Sequence, residues 1–484
     1  MCEGILTEEE CYNALKEMKN DKSPGSDGLT IEFYKTFWDD IKKTFIESIN
    51  YSFIYGHLTD FQKQSIISLI PKPNKDTTIL TNWRPISLLN VDYKIATKAI
   101  ANRIKKTISS IIAPSQTGFI KGRYIGENVR LIFEIIEYLE NKQIPGLLFF
   151  SDFEKAYDTL NHEFMFKCLQ HFNFGDDLIR WVKLFYRDIS SIIMNNGYMS
   201  ESFKIKNGVR QGCPLSSSLF VICIEILSNY IEKDQNIRGI VVNNIEIKQS
   251  LFADDATFFN NGEQNSFENL VNVITQFGKT SGLNLNNSKS TVLRVGLFKN
   301  TTIHFCNDHK FIWTSESAST LGLSFYNCKI KNMSMNLEPK LCAFSNCLKQ
   351  WHHRKLTLLG KITVIKTFAL PKLVYPFTVL PNPPKHTIQK ITKEIFNFLW
   401  DGKPDKIKRS KIIMNYTNEG LKLTDIEMFL NSIKGSWVKR LLTENNSMWK
   451  CIYNTILQKY GGELLFESNL QTKDIKRLCE DNEF

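Results

Sequence analysis

Long apolar runs are missing from this sequence of 484 residues. Its compact ones, such as 147–150 (LLFF), fall far short of the roughly 20 residues that cross a bilayer as a helix, so no membrane partner is expected. Cysteine is sparse, 11 in all, which excludes a disulfide scaffold. Residues 1–20 are polar and acidic and lack the apolar stretch of a secretory signal. No repeat of fixed period and no long low-complexity tract interrupts the chain. With 42% hydrophobic against 23% charged residues, disorder is excluded as well. These absences leave a soluble chain of a reducing compartment, with two to four domains at roughly 150 residues each.

Charge of one sign is scarce except in one segment. Residues 331–411 carry 16 Lys and Arg against four acids (Glu338, Glu394, Asp401, Asp405), so of the net +11 the other 403 residues hold −1. Trp351, Phe368, Tyr375 and Phe377 interleave with those cations, the composition of a module facing a polyanion. A solvated helical face is the alternative reading.

Residues 1–70 read as helical, broken by Ser23-Pro-Gly-Ser-Asp-Gly28. Ile31, Phe33, Tyr34, Phe37, Trp38 and Ile41 then recur at helical spacing. A short strand is predicted over 65–70 (SIISLI), and a helix over 91–112 that stops before Pro114. The middle third opens with 146–152 (GLLFFSD), a buried strand. Helices follow over 162–171 and 177–186, then strands over 191–196 and 201–206 around an Asn-Asn-Gly turn. A long apolar helix over 215–231 precedes strands over 237–242, 245–252, 256–259 and 320–325. The mixture lacks regular βαβ alternation. It predicts an α+β middle flanked by helical ends, with a stiff loop at 381–384 (PNPP) and a weaker pattern after Asp401.

Leu251-Phe-Ala-Asp-Asp-Ala256 places two adjacent carboxylates between apolar runs, at the tip of a hairpin. Two such carboxylates repel one another, and burying them unpaired is costly. A divalent cation resolves the repulsion, and hard oxygen ligands suit Mg²⁺. Plain turn chemistry is the other reading of Asp-Asp. Asp152 ends a second apolar strand. Three acids from two strands could hold two metal ions, which together activate an attacking oxygen and stabilise a leaving one in phosphoryl transfer.

The ordered set Phe150-Ser-Asp-Phe-Glu-Lys-Ala-Tyr-Asp158, Arg210-Gln-Gly-Cys-Pro-Leu-Ser216 and Phe252-Ala-Asp-Asp255 resembles a reverse transcriptase, and more narrowly that of LINE-type (non-LTR) retrotransposons. Ile70-Pro-Lys-Pro73, Asn82-Trp-Arg-Pro-Ile-Ser-Leu88, Gln116-Thr-Gly-Phe-Ile-Lys-Gly-Arg123 and Ser281-Gly-Leu-Asn-Leu-Asn286 extend the match in order. The resemblance implies an α+β right-hand polymerase. Fingers with an N-terminal extension would be 1–145, with a hinge at 143–146. A palm with an antiparallel sheet would be 146–330, a helical thumb 331–400, and a partial extension 401–484. It implies RNA-directed DNA synthesis with an RNA template, a DNA primer and dNTPs as partners and two Mg²⁺ ions, with Mn²⁺ as substitute. A copy that binds nucleic acid without catalysis is the alternative function.

Roles follow position by position. Asp152, Asp254 and Asp255 would be the catalytic metal ligands, joined by the backbone carbonyl of Phe153. Tyr157 would lie under the incoming sugar and exclude a 2′-hydroxyl. Arg210 and Gln211 would face the nucleotide and templating base. Lys72 and Arg84 would clamp the triphosphate, whose charge exceeds what two Mg²⁺ neutralise. Lys289 would protonate departing pyrophosphate. Leu321 and Gly322 would support the primer terminus, with Lys340, Arg354, Lys355, Lys361 and Lys366 along the duplex backbone.

The family usually carries an endonuclease ahead of the polymerase and a Cys/His knuckle behind it. The first motif here starts at Ser23 and no C-x2-C-x4-H-x4-C spacing occurs, so the expectation is a fragment or degraded copy. Cys342, Cys347, His352 and His353 cluster without the spacing of a zinc module. An intracellular location, nuclear or cytoplasmic, follows from the substrates alone; oligomeric state is not legible.

Overall fold

In the computed structural model, which describes residues 3–73, 75–443, 447–458 and 461–462, one sheet is buried on both faces. Its strand order is Ile312–Thr314, Thr291–Val295, Gly146–Ser151, Asp255–Asn260, Gln249–Phe252. All neighbours are antiparallel except the parallel pair Thr291–Val295 with Ile312–Thr314. Alternation along a strand sends Leu147 and Phe149 into one core, with Phe258 and Val292. Leu148 and Phe150 enter the other, with Phe259, Leu293 and Val295. Double burial is why the strand reads as an unbroken apolar run.

The first core is closed by helices Val91–Lys105, Ser216–Lys233 and Gln264–Ser281, which contribute Ile100, Phe220, Ile224, Phe267 and Ile274. The second is closed by Ile125–Lys142 and by the helices of the basic segment, Lys329–His352, Leu358–Val364, Pro371–Val379 and Lys385–Trp400. Ile125–Lys142 buries Val129, Ile132, Ile136 and Leu139 at helical spacing against the same sheet face as Leu148. A division at 145/146 therefore does not follow the packing, because helix and strand on either side of it share one core.

A second sheet makes the same point. Trp83–Leu89 pairs antiparallel with Gln64–Pro71, which pairs parallel with Ser190–Asn195. The last strand also pairs with Tyr198–Met199 and Phe203–Lys204. Residues from the middle third thus complete a sheet begun in the first 90.

Other elements depart locally from expectation. The stretch 245–252 is two strands, Ile245–Ile247 paired with Ile240–Val242, and Gln249–Phe252 paired with Asp255–Asn260. The break is at Lys248, whose buried ammonium donates to the carbonyls of Glu232 (3.1 Å) and Asp234 (2.9 Å). The stretch 320–325 is half of a hairpin, Ser317–Thr320 with Leu323–Tyr326, turning on Leu321 (φ +53°) and Gly322 (φ +75°). The helix over 91–112 breaks into Val91–Lys105 and Ile108–Ile111. Among the described residues no single helix is long and apolar enough to cross a membrane. One bent pair passes by length and composition, Leu358–Ala369 with Pro371–Val379, and its Ile362, Val364, Ile365, Leu373 and Phe377 lie in the second core.

Candidate active site

The strand Gly146–Ser151 and the hairpin Gln249–Phe252/Asp255–Asn260 end at the same edge. Ser151 pairs with Ala256, so the next residue outward, Asp152, stands opposite Asp255. Asp255 also pairs with Phe252 across the hairpin, leaving Ala253 and Asp254 as its turn. Ala253 holds φ +55°, the left-handed region that a non-glycine residue seldom adopts.

The three acids feel one another. Burial is the larger cause raising the Asp255 carboxyl to about 6, followed by the charges of Asp254 and Asp152. Asp254 is raised for the same reasons, burial first and Asp152 next. Both carboxylates reach solvent at the hairpin tip, yet sit among enough protein atoms to lose hydration. Lys289 Nζ stands 3.9 Å from Asp152 Oδ2, both side chains exposed. Among the described residues no three acid, His or Cys side chains converge as a ready-made metal site; the carboxylates share a field without closing on one point. That donor set, hard carboxylate oxygens with Asp254 and Asp255 raised first by burial and then by neighbouring charge, fits a divalent cation.

Phe153 is bridged to Leu285 through its neighbours: Glu154 N–H donates to Asn284 C=O (2.9 Å) and Asn286 N–H to Asp152 C=O (2.7 Å). In that pattern the backbone groups of Phe153 itself stay outside the bridge, and its carbonyl takes no part in these bonds.

Tyr157 lies stacked on Phe220, with ring centroids 4.7 Å apart at 14°. Its hydroxyl is pushed up by burial and then by the charge of Asp254. Its carbonyl accepts from Val209 N–H (2.6 Å). Gly208, at φ +86°, packs so tightly that a Cβ would come within 2.5 Å of Asp158 O. Gln211 reaches Asp158 Oδ1 (3.4 Å) with its side chain and accepts from Ser87 N–H (2.8 Å) with its carbonyl. Gly212 (φ +128°) completes this seam, with room for no Cβ against Ser87 O. The loop is thereby fastened to the strand that carries Arg84.

Arg210 corrects the sequence reading. It is buried, donates to the carbonyls of Lys63 and Ser190, and lies over the Tyr93 ring at 5.3 Å. A guanidinium held this way fastens the loop to the second sheet and does not face a nucleotide. Lys72 and Arg84 sit at one end of the Gln64–Pro71/Trp83–Leu89 pair, where Ile70 stands opposite Arg84. Lys72 Nζ donates to Thr81 C=O (2.9 Å). Arg84 is exposed, and among the described residues neither has a carboxylate partner.

In the basic segment, Arg354, Lys355 and Lys366 are exposed and Lys340 half-buried. Lys361 is the second correction. It is buried, and its ammonium is held by Asp401 Oδ1 (2.6 Å) and Leu399 C=O (3.1 Å), so its charge is engaged within the chain. Of the Cys/His cluster, Cys347 is buried, while Cys342, His352 and His353 are exposed.

Two residues passed over in the sequence bear on the site. Gln116 was legible only as part of a motif, and Tyr375 only as an aromatic among cations. Gln116 contacts the Ala253 turn, and Tyr375 the Leu321 turn.

A Xenopus laevis protein described as the uncharacterized 149 kDa protein of transposon TX1 is 30% identical over 408 residues, 83% of this chain and 30% of that protein. The retrovirus-related Pol polyprotein of type-1 retrotransposable element R2 from Popillia japonica is 24% identical over 384 residues, 78% of this chain and 52% of the other. The chain thus spans 30% and 52% of these two relatives' length. Telomerase from Candida tropicalis, solved in complex with a TWJ fragment of telomeric RNA, superposes with a TM-score of 0.45 at 14% identity, covering 88% of this chain and 68% of that one. Residues 70–325, just over half of the chain and including all three acids, match the reverse transcriptase (RNA-dependent DNA polymerase) family, and the chain belongs to that family.

Proposed function

We propose that this chain is the RNA-directed DNA polymerase of a non-LTR retrotransposon, extending a DNA primer with dNTPs on an RNA template. The observation that carries the reading is the ladder register pairing Ser151 with Ala256, which brings Asp152 and Asp255, the next residues along each chain, to the same end of the sheet, with Asp254 on the adjoining turn. Asp152, Asp254, Asp255 and the Phe153 carbonyl would hold two Mg²⁺. When bound, these ions supply Lewis-acid activation of the primer 3′-hydroxyl and charge stabilisation at the leaving pyrophosphate.

The chain's own groups do the rest. Lys72 and Arg84, without carboxylate partners among the described residues, supply positive charge to a triphosphate. Lys289, already within reach of Asp152, holds a proton where pyrophosphate departs. Tyr157, fixed by its stack on Phe220, fills the space a 2′-hydroxyl would need. Gln211 presents its amide at the same mouth. Leu321 and Gly322 brace the primer end, and Lys340, Arg354, Lys355 and Lys366 lie along the template–primer backbone. Such synthesis places the protein inside the cell, with RNA and dNTPs.

A primed RNA template supplied with dNTPs and Mg²⁺ tests the reading. Primer extension that needs template and Mg²⁺, and that falls when rNTPs replace dNTPs, supports it. Salt-dependent RNA binding with no extension would show a nucleic-acid-binding copy instead.

A further inference from the structure

The turn that bears Asp254 does not stand alone. Gln249–Phe252 is the edge strand of its sheet, and an edge strand lacks a partner on one side. A loop takes that place. Leu251 N–H donates to Ser115 C=O (2.8 Å) and Thr117 N–H to Leu251 C=O (2.9 Å), so Gln116 and Leu251 pair as in a parallel ladder. From that position the Gln116 side chain reaches one residue past the strand. Its Oε1 accepts from Ala253 N–H (2.9 Å) and from Gly118 N–H (2.8 Å). Gln116 is fully buried.

Ala253 is the residue held at φ +55°. A non-glycine residue there is strained and persists only where its surroundings over-determine it. Gly118 packs against the same peptide so closely that a Cβ would lie 2.5 Å from Ala253 N. Asn128, on helix Ile125–Lys142, braces the strand just behind. Its Nδ2 donates to Leu251 C=O (2.9 Å) and Ser250 Oγ (2.8 Å), and its Oδ1 accepts from the Thr117 hydroxyl.

We propose that Gln116 is a positioning residue of the polymerase centre. Its amide oxygen holds Ala253 in the left-handed conformation and so sets where Asp254 and Asp255 project. The inference rests on the polymerase reading above, but the geometry that carries it is independent of substrate. Gln116 Nε2 is buried with no hydrogen-bond partner among the described residues, so the oxygen alone does the positioning. A carboxyl of the same shape, kept protonated by full burial, retains a carbonyl oxygen for both accepted bonds; a thioether of the same length keeps neither.

The full chain is titrated with Mn²⁺ while its unfolding temperature is followed, and the same preparations extend a primed RNA. Gln116→Met is expected to need about 10–100-fold more Mn²⁺ for the same stabilisation, the usual loss when a ligand's support is removed. Its kcat should fall by a similar factor while KM for dNTP stays within about twofold. Gln116→Glu should stay near wild type in both. Equal impairment of the two variants, or a wild-type Mn²⁺ midpoint in Gln116→Met, overturns the inference.

Ala253→Gly guards against a Gln116→Met chain that fails to fold. Glycine adopts this φ freely, and with Gln116 intact the Mn²⁺ midpoint should not move. A tenfold shift in Ala253→Gly would show that the Ala253 side chain, not Gln116, sets the turn. In that background Gln116→Met should also lose less than it does alone. If wild type extends no primer while the Mn²⁺ midpoints differ as stated, the polymerase reading fails and the role of Gln116 stands. If wild type extends and the midpoints coincide, the reverse holds.

Discussion

Tyr375 Oη donates to Leu321 C=O at 2.8 Å, tying helix Pro371–Val379 to the turn of the Ser317–Thr320/Leu323–Tyr326 hairpin. Burial, then the neighbouring Tyr124 and Asp255, push the Tyr375 hydroxyl up from its ordinary range, so it keeps its proton and donates at any working pH. The bond thereby joins the basic helices to the proposed primer support. Tyr375→Phe should raise KM for primer–template about fivefold, the equivalent of the about 1 kcal/mol of one hydrogen bond, with kcat nearly unchanged. Steady-state extension at varied primer–template reads this directly.

Asp255 makes the metal-free protein pH-sensitive. Its folded-state carboxyl is raised from 3.8 to about 6. Across that window the folded chain keeps a proton that the unfolded chain has lost, so stability falls as pH rises from about 4 to 6 and stays low above. Asp255→Asn should remove that slope and raise the metal-free unfolding temperature at pH 7, whereas saturating Mg²⁺ should reverse the order of the two proteins. Buried Glu225, raised from 4.5 to about 7, adds a slope of the same sign that reaches to higher pH and that Glu225→Gln should reduce, while Asp254, also raised, keeps a part at lower pH. Thermal unfolding from pH 4 to 8, with and without Mg²⁺, separates the two.

Lys361 and Lys366 should behave oppositely. Lys361→Met breaks a buried bond to Leu399 and a part-buried one to Asp401 and should cost about 1–3 kcal/mol of stability. Lys366→Ala, on the surface, should cost under about 0.5 kcal/mol but lower the slope of log affinity against log salt by about 1 if it meets a phosphate. Denaturant melts and RNA binding at several salt concentrations check both.

The Lys289–Asp152 pair is exposed and contributes at most about 1 kcal/mol to stability. Lys289→Gln should therefore melt like wild type, yet bind Mn²⁺ more tightly, since a competing cation beside Asp152 is gone. Single-turnover extension should slow by about 10²-fold or more if Lys289 supplies the proton. A rate unchanged by the substitution would remove Lys289 from the chemistry.

How far the sequence could be read depends on whether a feature is local. The strand Gly146–Ser151 and helices His162–His171, Asp176–Tyr186 and Ser216–Lys233 were legible because apolar runs and their Pro, Gly and Asn punctuation lie within a dozen residues. The pairing of Gln64–Pro71 with Ser190–Asn195 leaves no local trace, being made across more than a hundred residues. Arg210 and Lys361 misled for one reason. Composition shows a cation but not its burial, and the carbonyls that hold both are backbone groups which no side-chain pattern reveals. Helix Ile125–Lys142 did carry its period in Val129, Ile132, Ile136 and Leu139, and was passed over. The acids were the most legible part of the site because their placement at strand ends is set by the strands themselves. What holds their turn, Gln116 on the edge of the sheet, emerges only from contact geometry.

The most direct test is extension of a DNA primer on an RNA template by wild type and Asp254→Asn side by side, with template affinity measured on the same preparations. The account predicts template-dependent extension by wild type, a loss of about 10³-fold or more in Asp254→Asn, as expected when a metal-holding group is removed, and equal RNA affinity for both. Equal extension by the two proteins would contradict it.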